Sequence, residues 1–519
     1  MSTEVPFAVS PATVAAITVA LVLVLQIPGL QRAISTFFLS KSSYFIQRPR
    51  RPTLVTTSAR STFDKSAAPH GTLLALSLRE SMFATGAMVN GSYTLSFNMI
   101  LHHAEHCPPL SIENVQAALS QLQTRHTFLR TKLVPYDSVA TPFVLQVDHA
   151  LRLPLIELPS NTPFAKLWAE GRGTPLRCGE PMLRVLWQPQ SNTTNVVFLV
   201  HHAIADGRSL SCLPHDFLIA LTTIDMKTLP PLPLVSSCDD VAKRAVRSYP
   251  LRSLQSFAHT VLSGIRARHA FAFPIEPAAK ESFMMLRDNK PLGLTTQFDA
   301  ATTSRFVAKC KIHHVSVTGA LGAALIHAVA DMATASSTKI ALGTVADART
   351  LGAMGHLGAP EHLTLFATAL PMFSHTVQAT SDATSSTEST EPPYWTTANA
   401  YGQHLQGCTV RQDGLVVGLL MGLNMKSMMK APKLTLGRPT IILSNSGVLP
   451  KLQTQYGDQI KVSHAHVTSN QLYSFPKVSA STMGGVLTLN FDGVAPIIKP
   501  TDLAMLQSRT TWHLKAMIA

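Results

Sequence analysis

The sequence predicts a mixed α/β (α+β) protein of two lobes, preceded by an N-terminal transmembrane helix. With 519 residues, 46% of them hydrophobic, the chain exceeds the roughly 250–300 residues at which a single core stops growing. Apolar runs typical of strands alternate with segments of helical spacing along most of the chain. Ahead of them lies an apolar stretch about as long as a membrane span.

That first stretch predicts a membrane anchor. Residues 5–31 carry no charge, and residues 12–27 are almost continuously apolar. The next charges, from Arg32 to Arg60, are all basic, which by the positive-inside rule directs the lobes to the cytoplasm. We therefore expect a single-pass anchor with cytoplasmic lobes, in an ER-like membrane if the protein is eukaryotic. A cleaved signal peptide and a mitochondrial presequence are the alternatives.

Charge and cysteine content narrow the function classes. The net charge is +14, but the basic residues are not interleaved with aromatics and no nucleic-acid motif is present, so no nucleic-acid partner is predicted. A membrane surface or an anionic co-substrate fits the charge. The scattered cysteines favour reduced thiols and offer no zinc site. His102 and His106 have ligand spacing, but prolines 108 and 109 indicate a loop, and we predict no metal.

The central motif is a strand that ends in two histidines. Val196 to Val200 reads as a buried strand, followed by His201, His202, Asp206 and Gly207. Because side chains alternate across a strand, only one imidazole can face a given cleft. By composition, His-His-x-x-x-Asp-Gly is expected by chance on the order of once in several hundred such chains.

A second His-x-x-x-Asp, at His327 and Asp331, serves as an internal comparison. It lies in an alanine-rich, helix-like run, follows no strand and has Met332 in place of the glycine. A bare His-x-x-x-Asp is expected about once by chance in a chain of this length. We interpret this copy as a helix face.

The residue types of the first copy suggest acyl-transfer chemistry. A neutral histidine can take a proton from a hydroxyl or amine as that group attacks an acyl carbonyl. His202 is the candidate base, with His201 and Gly207 supporting it. Asp206 is expected to hold the loop in shape rather than carry a proton. The competing interpretation is a buried His–Asp contact in a core.

His201 to Gly207 resembles the HHxxxDG signature of the coenzyme A-dependent acyltransferase superfamily, which includes chloramphenicol acetyltransferase, condensation domains and alcohol acetyltransferases. The resemblance implies two chloramphenicol-acetyltransferase-like lobes, each a mixed sheet flanked by helices, with a tunnel between them. It also implies acyl-CoA as co-substrate and no bound cofactor.

Further landmarks follow in the family's order over about residues 70 to 510. Residues 125–131 are similar to an RHxxLRT element, which implies that Arg130 pairs with Asp206. Residues 179–187 resemble the strand paired with the motif strand. Residues 347–349 look like an x-D-x-R segment, making Arg349 a second supporting candidate.

Two more segments belong to the second lobe. Residues 440–447 are similar to an S-N-x-G segment, in which Ser444 or Asn445 could bind substrate or the oxyanion, or only stabilise a turn. Residues 481–492 look like a closing strand.

The predicted division has three parts: 1–70, anchor and basic tether; 71–235, the lobe with HHxxxDG; and 236–519, the second lobe. The stiff segment 229–234 marks the boundary. Just beyond it, residues 243–268 predict an amphipathic helix that lies either on a membrane or on the protein. Residues 376–393, rich in Ser and Thr, predict a mobile loop.

The sequence thus predicts a monomeric, membrane-anchored acyltransferase that passes an acyl group, by preference acetyl, from CoA to a small-molecule or lipid alcohol. Three alternatives stay open: a condensation-type amide or ester synthase using carrier-bound acyl groups, a wax ester or diacylglycerol acyltransferase, and a non-catalytic membrane-bound binding protein.

Overall fold

The computed structural model describes most of the chain from residue 69 onward. The described residues are 54–55, 69–91, 93–105, 110–136, 142–222, 230–274, 290–350, 362–378, 393–420, 438–449, 451–470 and 475–519. The predicted anchor at 5–31 and most of the predicted mobile loop lie outside them.

The first lobe is built around a six-stranded sheet that carries the motif strand at its centre. The sheet runs in the order β13-β14-β3-β8-β7-β6. Its strands are β3 (Thr94–His103), β6 (Leu155–Glu157), β7 (Leu183–Pro189), β8 (Thr193–His201), β13 (Gln455–Tyr456) and β14 (Ile460–Asn470). The helices of this region are α1 (Leu78–Asn90), α2 (Ile112–Arg125), α3 (Phe164–Gly173), α4 (Gly207–Leu210) and α5 (Cys212–Thr222).

A small four-stranded sheet lies beside this lobe. It runs in the order β1-β2-β5-β4. The strands are β1 (Leu54–Val55), β2 (Leu73–Ala75), β4 (Thr131–Pro135) and β5 (Phe143–Val147). A 3-10 turn, Thr127–Arg130, connects α2 to β4.

The second lobe has its own six-stranded mixed sheet, in the order β11-β10-β12-β15-β16-β9. The strands are β9 (Lys290–Phe298), β10 (Ser337–Asp347), β11 (Ala367–Gln378), β12 (Ile441–Val448), β15 (Lys477–Met483) and β16 (Val486–Ala495). Its helices are α6 (Cys238–Ser248), α7 (Pro250–Arg266), α8 (Ala300–Ile312), α9 (Val317–Ala330), α10 (Pro393–Arg411) and α11 (Pro500–Ile518). Two six-stranded sheets flanked by helices match the predicted fold class.

Two strands cross between the lobes, the short β13 and the longer β14. β14 comes late in the chain but pairs antiparallel with β3 along its whole length, from Ile460 opposite His103 to Asn470 opposite Thr94. The sheet that holds the motif therefore contains residues from both sides of the predicted boundary at 235. This exchange ties the two lobes together beside the motif.

Each lobe buries its own apolar core. Phe97, Phe198 and Phe217 are fully buried in the first, and Phe306, Tyr401 and Phe491 in the second. Alternation in β8 places Val196, Phe198 and Val200 in the main core of the first lobe, whereas Val197 and Leu199 pack with Trp168 on the other face. The motif strand is thus buried on both faces.

Several predicted elements are confirmed. Ser111 caps α2, and its side chain accepts a hydrogen bond from the backbone N–H of Asn114. β7 and β8 form the predicted antiparallel hairpin. The predicted strand at 128–134 starts only at Thr131, because the preceding residues form the 3-10 turn.

Two predicted elements are wrong in detail. Residues 481–492 are not one closing strand, since Gly484 and Gly485 have positive φ angles of 54° and 82° and reverse the chain between β15 and β16. Such angles at both central residues are typical of a tight hairpin turn. The predicted helix at 243–268 is instead two helices, α6 and α7, with Pro250 opening the second.

No single helix among the described residues is both long enough and apolar enough to span a membrane. Helices α8 and α9 reach that length and hydropathy only when they are taken together, and their axes are bent by 99° relative to each other.

Candidate functional site

The motif occupies the end of β8 and the turn after it. β8 lies between β3 and β7, with His201 opposite Thr94. The backbone N–H of His201 donates to the carbonyl of Met182 (3.0 Å), and that of His202 donates to the carbonyl of Tyr93 (2.9 Å). Both neighbouring chain segments therefore fix the backbone from which the two imidazoles project.

The hydrogen bonds of His202 determine which nitrogen can act as a base. Its Nδ1 lies 2.8 Å from the carbonyl oxygen of Ala205. A carbonyl oxygen only accepts, so Nδ1 must carry the proton. In the neutral ring, Nε2 then has the free lone pair. The turn that links His202 to Asp206 thus presets the tautomer required of a general base.

The plane and charge state of the His202 ring are also set by its surroundings. The ring stacks on Phe83 of α1, with centroids 4.2 Å apart and an interplanar angle of 11°. Burial, together with the positive charge of Lys477, lowers the pKa of His202 to about 4. The imidazole is therefore neutral throughout the physiological pH range.

His201 has the opposite arrangement. Its Nδ1 accepts a hydrogen bond from the backbone N–H of Ala203 at 3.0 Å, so the proton of the neutral ring lies on Nε2. That Nε2 is buried without a hydrogen-bond partner. Burial, and secondarily the neighbouring His202, lower the pKa of His201 to about 3. Its Nδ1 lone pair is used within the turn, which suits a structural role.

The hydrogen bonds of the Asp206 carboxylate go to residues other than His202, and they link the two lobes. One carboxylate oxygen accepts from the backbone N–H of Ser209 at the start of α4 (2.8 Å). The other accepts from Arg349 Nη1 (2.8 Å) and from the backbone N–H of Phe366 (2.7 Å). Burial opposes ionisation, but Arg349 and the backbone donors outweigh it, so the pKa of Asp206 lies below its usual value. Its position is that of a buried, charged link between lobes.

Arg349, rather than Arg130, is the arginine on Asp206. It follows β10 of the second lobe, and its Nη2 also donates to the carbonyl of Thr364 (3.1 Å). The predicted Arg130–Asp206 pair does not form. Arg130 ends the 3-10 turn, and its guanidinium donates to the hydroxyl of Thr127 within that turn (3.3 Å).

The segment with Ser444 and Asn445 lies in β12. Asn445 Nδ2 donates to the hydroxyl of Thr318 (2.9 Å), and its Oδ1 accepts from the backbone N–H of Gly447 (2.9 Å). The amide oxygen thus holds the turn at Gly447, and the amide nitrogen links β12 to α9. Ser446 lies beside the motif, because a Cβ on Gly207 would be 3.5 Å from its hydroxyl. Ser444 lies in register with Val345 and Ser479.

Sequence reasoning missed Phe83 and Lys477. Phe83 is one of several apolar residues of α1 and has no distinguishing signal. Lys477 is a buried lysine that opens β15, and its ammonium donates to the hydroxyl of Ser469 at 2.6 Å. A lysine at the head of an alternating strand was the available signal, since lysines are rarely buried without a specific partner.

A group of potential metal ligands lies away from the motif, at His259, Cys408 and Asp413, with ligand atoms within 4.8 Å of one another. Arg411 already donates to Asp413 through Nε (3.1 Å) and Nη2 (2.9 Å). Burial raises the pKa of the Cys408 thiol to about 12. The group is accounted for as an Arg–Asp–His network, and we assign no metal to it.

Comparison with known proteins gives a match in structure alone. No protein-family model and no curated protein sequence matches the chain. The TRI3 trichothecene 15-O-acetyltransferase of Fusarium sporotrichioides superposes with a TM-score of 0.64 at 12% identity, over 85% of this chain and 95% of that one.

Two peptide-synthetase domains are similarly close. The epimerization domain of the third module of tyrocidine synthetase B gives a TM-score of 0.62 at 14% identity, over 88% of this chain and 97% of its own. The first condensation domain of the calcium-dependent antibiotic synthetase gives 0.62 at 12% identity, over 87% and 97%. The chain therefore has the fold of acetyltransferases and condensation domains, as the HHxxxDG resemblance implied.

Proposed function

We propose that this protein is a membrane-anchored acyltransferase that transfers an acyl group, by preference acetyl, from CoA to a hydroxyl acceptor. The observation that carries the proposal is the bond from His202 Nδ1 to the Ala205 carbonyl (2.8 Å). It leaves Nε2 as the basic nitrogen of a ring whose low pKa keeps it neutral. Only the neutral ring can accept a proton from an acceptor.

In the proposed step, Nε2 of His202 takes the hydroxyl proton as the acceptor oxygen attacks the thioester carbonyl. The tetrahedral intermediate then expels the thiolate of CoA. His202 returns the proton to that sulfur, so that the products are an ester and free CoA with the enzyme unchanged. Neither a metal nor a covalent enzyme intermediate enters this scheme.

Asp206 acts in this proposal through position. Its carboxylate is saturated by Arg349 and two backbone N–H groups, so it is not available to receive a proton from His202. It fixes the turn whose Ala205 carbonyl sets the tautomer of His202. Because Arg349 and Phe366 belong to the second lobe, the same contact also holds the lobes in register.

Two features support CoA and a hydroxyl acceptor. One structural neighbour is named as an O-acetyltransferase, and the net charge of +14 suits an anionic donor such as CoA. The uncharged residues 5–31, followed by basic residues only up to residue 60, support an anchor with the lobes in the cytoplasm. Acyl-CoA is available in that compartment.

The test is release of free CoA by the purified full-length protein from acetyl-CoA in the presence of a panel of alcohols, with mass spectrometry of the ester. His202→Ala should lower turnover by roughly 10²–10⁴-fold. The matched control is His103→Ala in the same sheet, whose ring contacts Thr194 at 2.7 Å and whose loss should leave turnover nearly unchanged. Full activity of the His202→Ala variant would refute the proposal.

A condensation-type reaction is the second candidate, because condensation domains superpose as well as the acetyltransferase does. It would use an acyl group bound to a phosphopantetheinyl carrier protein. Transfer from a loaded carrier protein, with no transfer from acyl-CoA, would favour it. A preference for long-chain donors and lipid acceptors would instead indicate a wax ester or diacylglycerol acyltransferase.

A further inference from the structure

Helix α7 presents its apolar residues outward. Leu251 is 78% exposed, Leu254 37%, Leu262 41% and Ile265 45%. At 3.6 residues per turn these four side chains fall within an arc of about 80°. They form one stripe on the outer surface of the second lobe, which we call the α7 stripe.

The opposite side of α7, which faces the protein, is rich in small and polar residues. Ser256, Ser263 and Gly264 are buried there, and Val261 is buried at the edge of that side. His259 lies on the side of the helix between these two faces. Its Nδ1 contacts the carboxylate of Asp413 at 2.8 Å, next to the end of α10. A helix that merely covers a core turns its leucines inward. On α7 the leucines and the isoleucine face outward instead, and the contact between His259 and Asp413 stabilises that rotation of the helix.

Positive charge lies along one side of the stripe and on the neighbouring helix α6. Residues 241–275 include six basic residues and no Asp or Glu. Of these, Arg244 and Arg247 lie exposed on α6, and Arg252 and Arg266 lie exposed on α7. Tyr249, at the corner between the helices, is 47% exposed, and Arg252 lies over its ring at 5.2 Å. Apolar residues with arginines along one side and a tyrosine beside them are typical of a helix that lies in the headgroup region of a bilayer.

We propose that the α7 stripe docks on an anionic lipid surface, with the leucines in the headgroup boundary and the arginines on lipid phosphates. A contiguous exposed apolar patch on the surface of a folded protein is typical of an interaction site. The excess of positive charge around it selects an anionic occupant over a neutral one. This docking does not depend on the acyl-transfer chemistry, and it would lay the second lobe flat on the membrane.

The test places a tryptophan in the stripe of the full-length protein. Leu262→Trp, the stripe reporter, is compared with Ile312→Trp, the control reporter, which sits at the end of α8 where Ile312 is 67% exposed. Each is mixed with vesicles of phosphatidylcholine alone or with one-third phosphatidylserine, prepared with and without brominated acyl chains. The quantity measured is the tryptophan emission of each variant minus that of the wild-type protein.

Docking predicts that bromolipid quenches the emission of the stripe reporter roughly twofold or more in the phosphatidylserine vesicles, and much less in phosphatidylcholine alone. The control reporter should be hardly quenched. Since the signal reports contact at the stripe itself, it holds whether or not residues 5–31 also anchor the protein. No quenching of the stripe reporter, or equal quenching of both reporters, would overturn the proposal.

The stripe reporter also distinguishes other occupants of the stripe. Blue-shifted emission from it without vesicles that disappears on dilution would indicate a second copy of the chain. A blue shift that persists on dilution would indicate another segment of the same chain. Either result would also overturn the proposal.

Reversing the charge of the arginines beside the stripe is an independent test of the docking proposal. Arg252→Glu with Arg266→Glu, made in the Leu262→Trp protein, should abolish the dependence of the quenching on phosphatidylserine. Arg305→Glu with Lys311→Glu on α8 makes the same change in net charge at a distant exposed surface and should leave the quenching intact. Equal losses from both pairs would mean that net charge alone, and not the α7 stripe, governs binding.

Discussion

The molecule contains two His-x-x-x-Asp segments in which the histidine is buried, and they differ in what the aspartate does. His202 and His327 are both buried, and burial lowers the pKa of each to about 4. Asp206 forms its ion pair with Arg349 of the second lobe and not with the histidine of its own segment. Asp331 lies at the end of α9 and contacts His513 at 2.9 Å. Spacing and protonation are alike in the two segments, so neither identifies a site.

The surrounding backbone makes the difference. His202 follows the last residue of a strand, in a turn whose Ala205 carbonyl fixes its tautomer. His327 lies inside a helix, and its Nε2 meets the hydroxyl of Thr397 at 3.2 Å. In the helix the ring is part of the packing between α9 and α10. A strand end, by contrast, presents the ring where a polar turn can orient it.

The largest expected effect concerns the two histidines. His202→Ala should lower the rate of CoA release by roughly 10²–10⁴-fold, because it removes the base. His327→Ala should change the rate less than about twofold, since that ring only packs in the second lobe. Thermal unfolding of both variants would establish that they fold. A comparable loss of rate in the His202→Ala and His327→Ala variants would contradict the different roles assigned to the two histidines.

The two aspartates should differ next, in stability. Asp206→Asn leaves Arg349 buried with less compensating charge and is expected to cost about 3 kcal/mol of unfolding free energy. The Asp331 side chain is 36% exposed, so Asp331→Asn should cost less than about 1 kcal/mol. Urea unfolding monitored by circular dichroism gives both values. A larger loss for Asp331→Asn would reverse the assignment of roles.

Gly207 of the motif and Gly322, which lies in α9 ahead of His327, offer a smaller contrast. A Cβ at Gly322 in α9 would overlap the Tyr401 ring, so Gly322→Ala should cost about 1–3 kcal/mol through overpacking. At Gly207 the nearest atom would be 3.5 Å away, and Gly207→Ala should stay within about 0.5 kcal/mol. The same unfolding assay applies to both variants. Equal costs at the two positions would mean that the motif turn is packed as tightly as the helix.

The smallest effect is in the pH dependence. Because the pKa of His202 is about 4, kcat/KM should stay level as pH falls from 8 to about 5, and decline only when the ring becomes protonated. Lys477 contributes to this low pKa, so Lys477→Met should raise it and shift the acid limb to higher pH. His327→Ala should leave the limb in place. An acid limb near the ordinary histidine pKa in the wild type would contradict the buried, neutral state of His202.

Local patterns in the sequence predict the motif strand, its hairpin partner and the cap of α2, because periodicity and capping act over a few residues. They do not predict β14, whose His466 contacts Asn98 from 368 positions away. The hairpin turn at Gly484 and Gly485 did carry a local signal, two adjacent glycines between apolar runs, which the single-strand interpretation overlooked.

The site divides in the same way. The residues from His201 to Gly207 stand out by their spacing alone. Two arginines were candidates for supporting it, and only the approach of the lobes selects Arg349 over Arg130. Phe83 and Lys477 act on His202 through space, from elements whose position no local pattern specifies. Sequence therefore identifies the reacting residue better than the surroundings that tune it.

The central claim is that His202 is a neutral imidazole with its proton on Nδ1 and a basic Nε2. Nitrogen NMR of the full-length protein labelled with ¹⁵N-histidine measures this directly, with the His202→Ala variant assigning the signals. We expect a protonated Nδ1 and a bare Nε2 that do not titrate between pH 8 and about 5. A proton on Nε2, or titration of the ring near pH 6.5, would contradict the account.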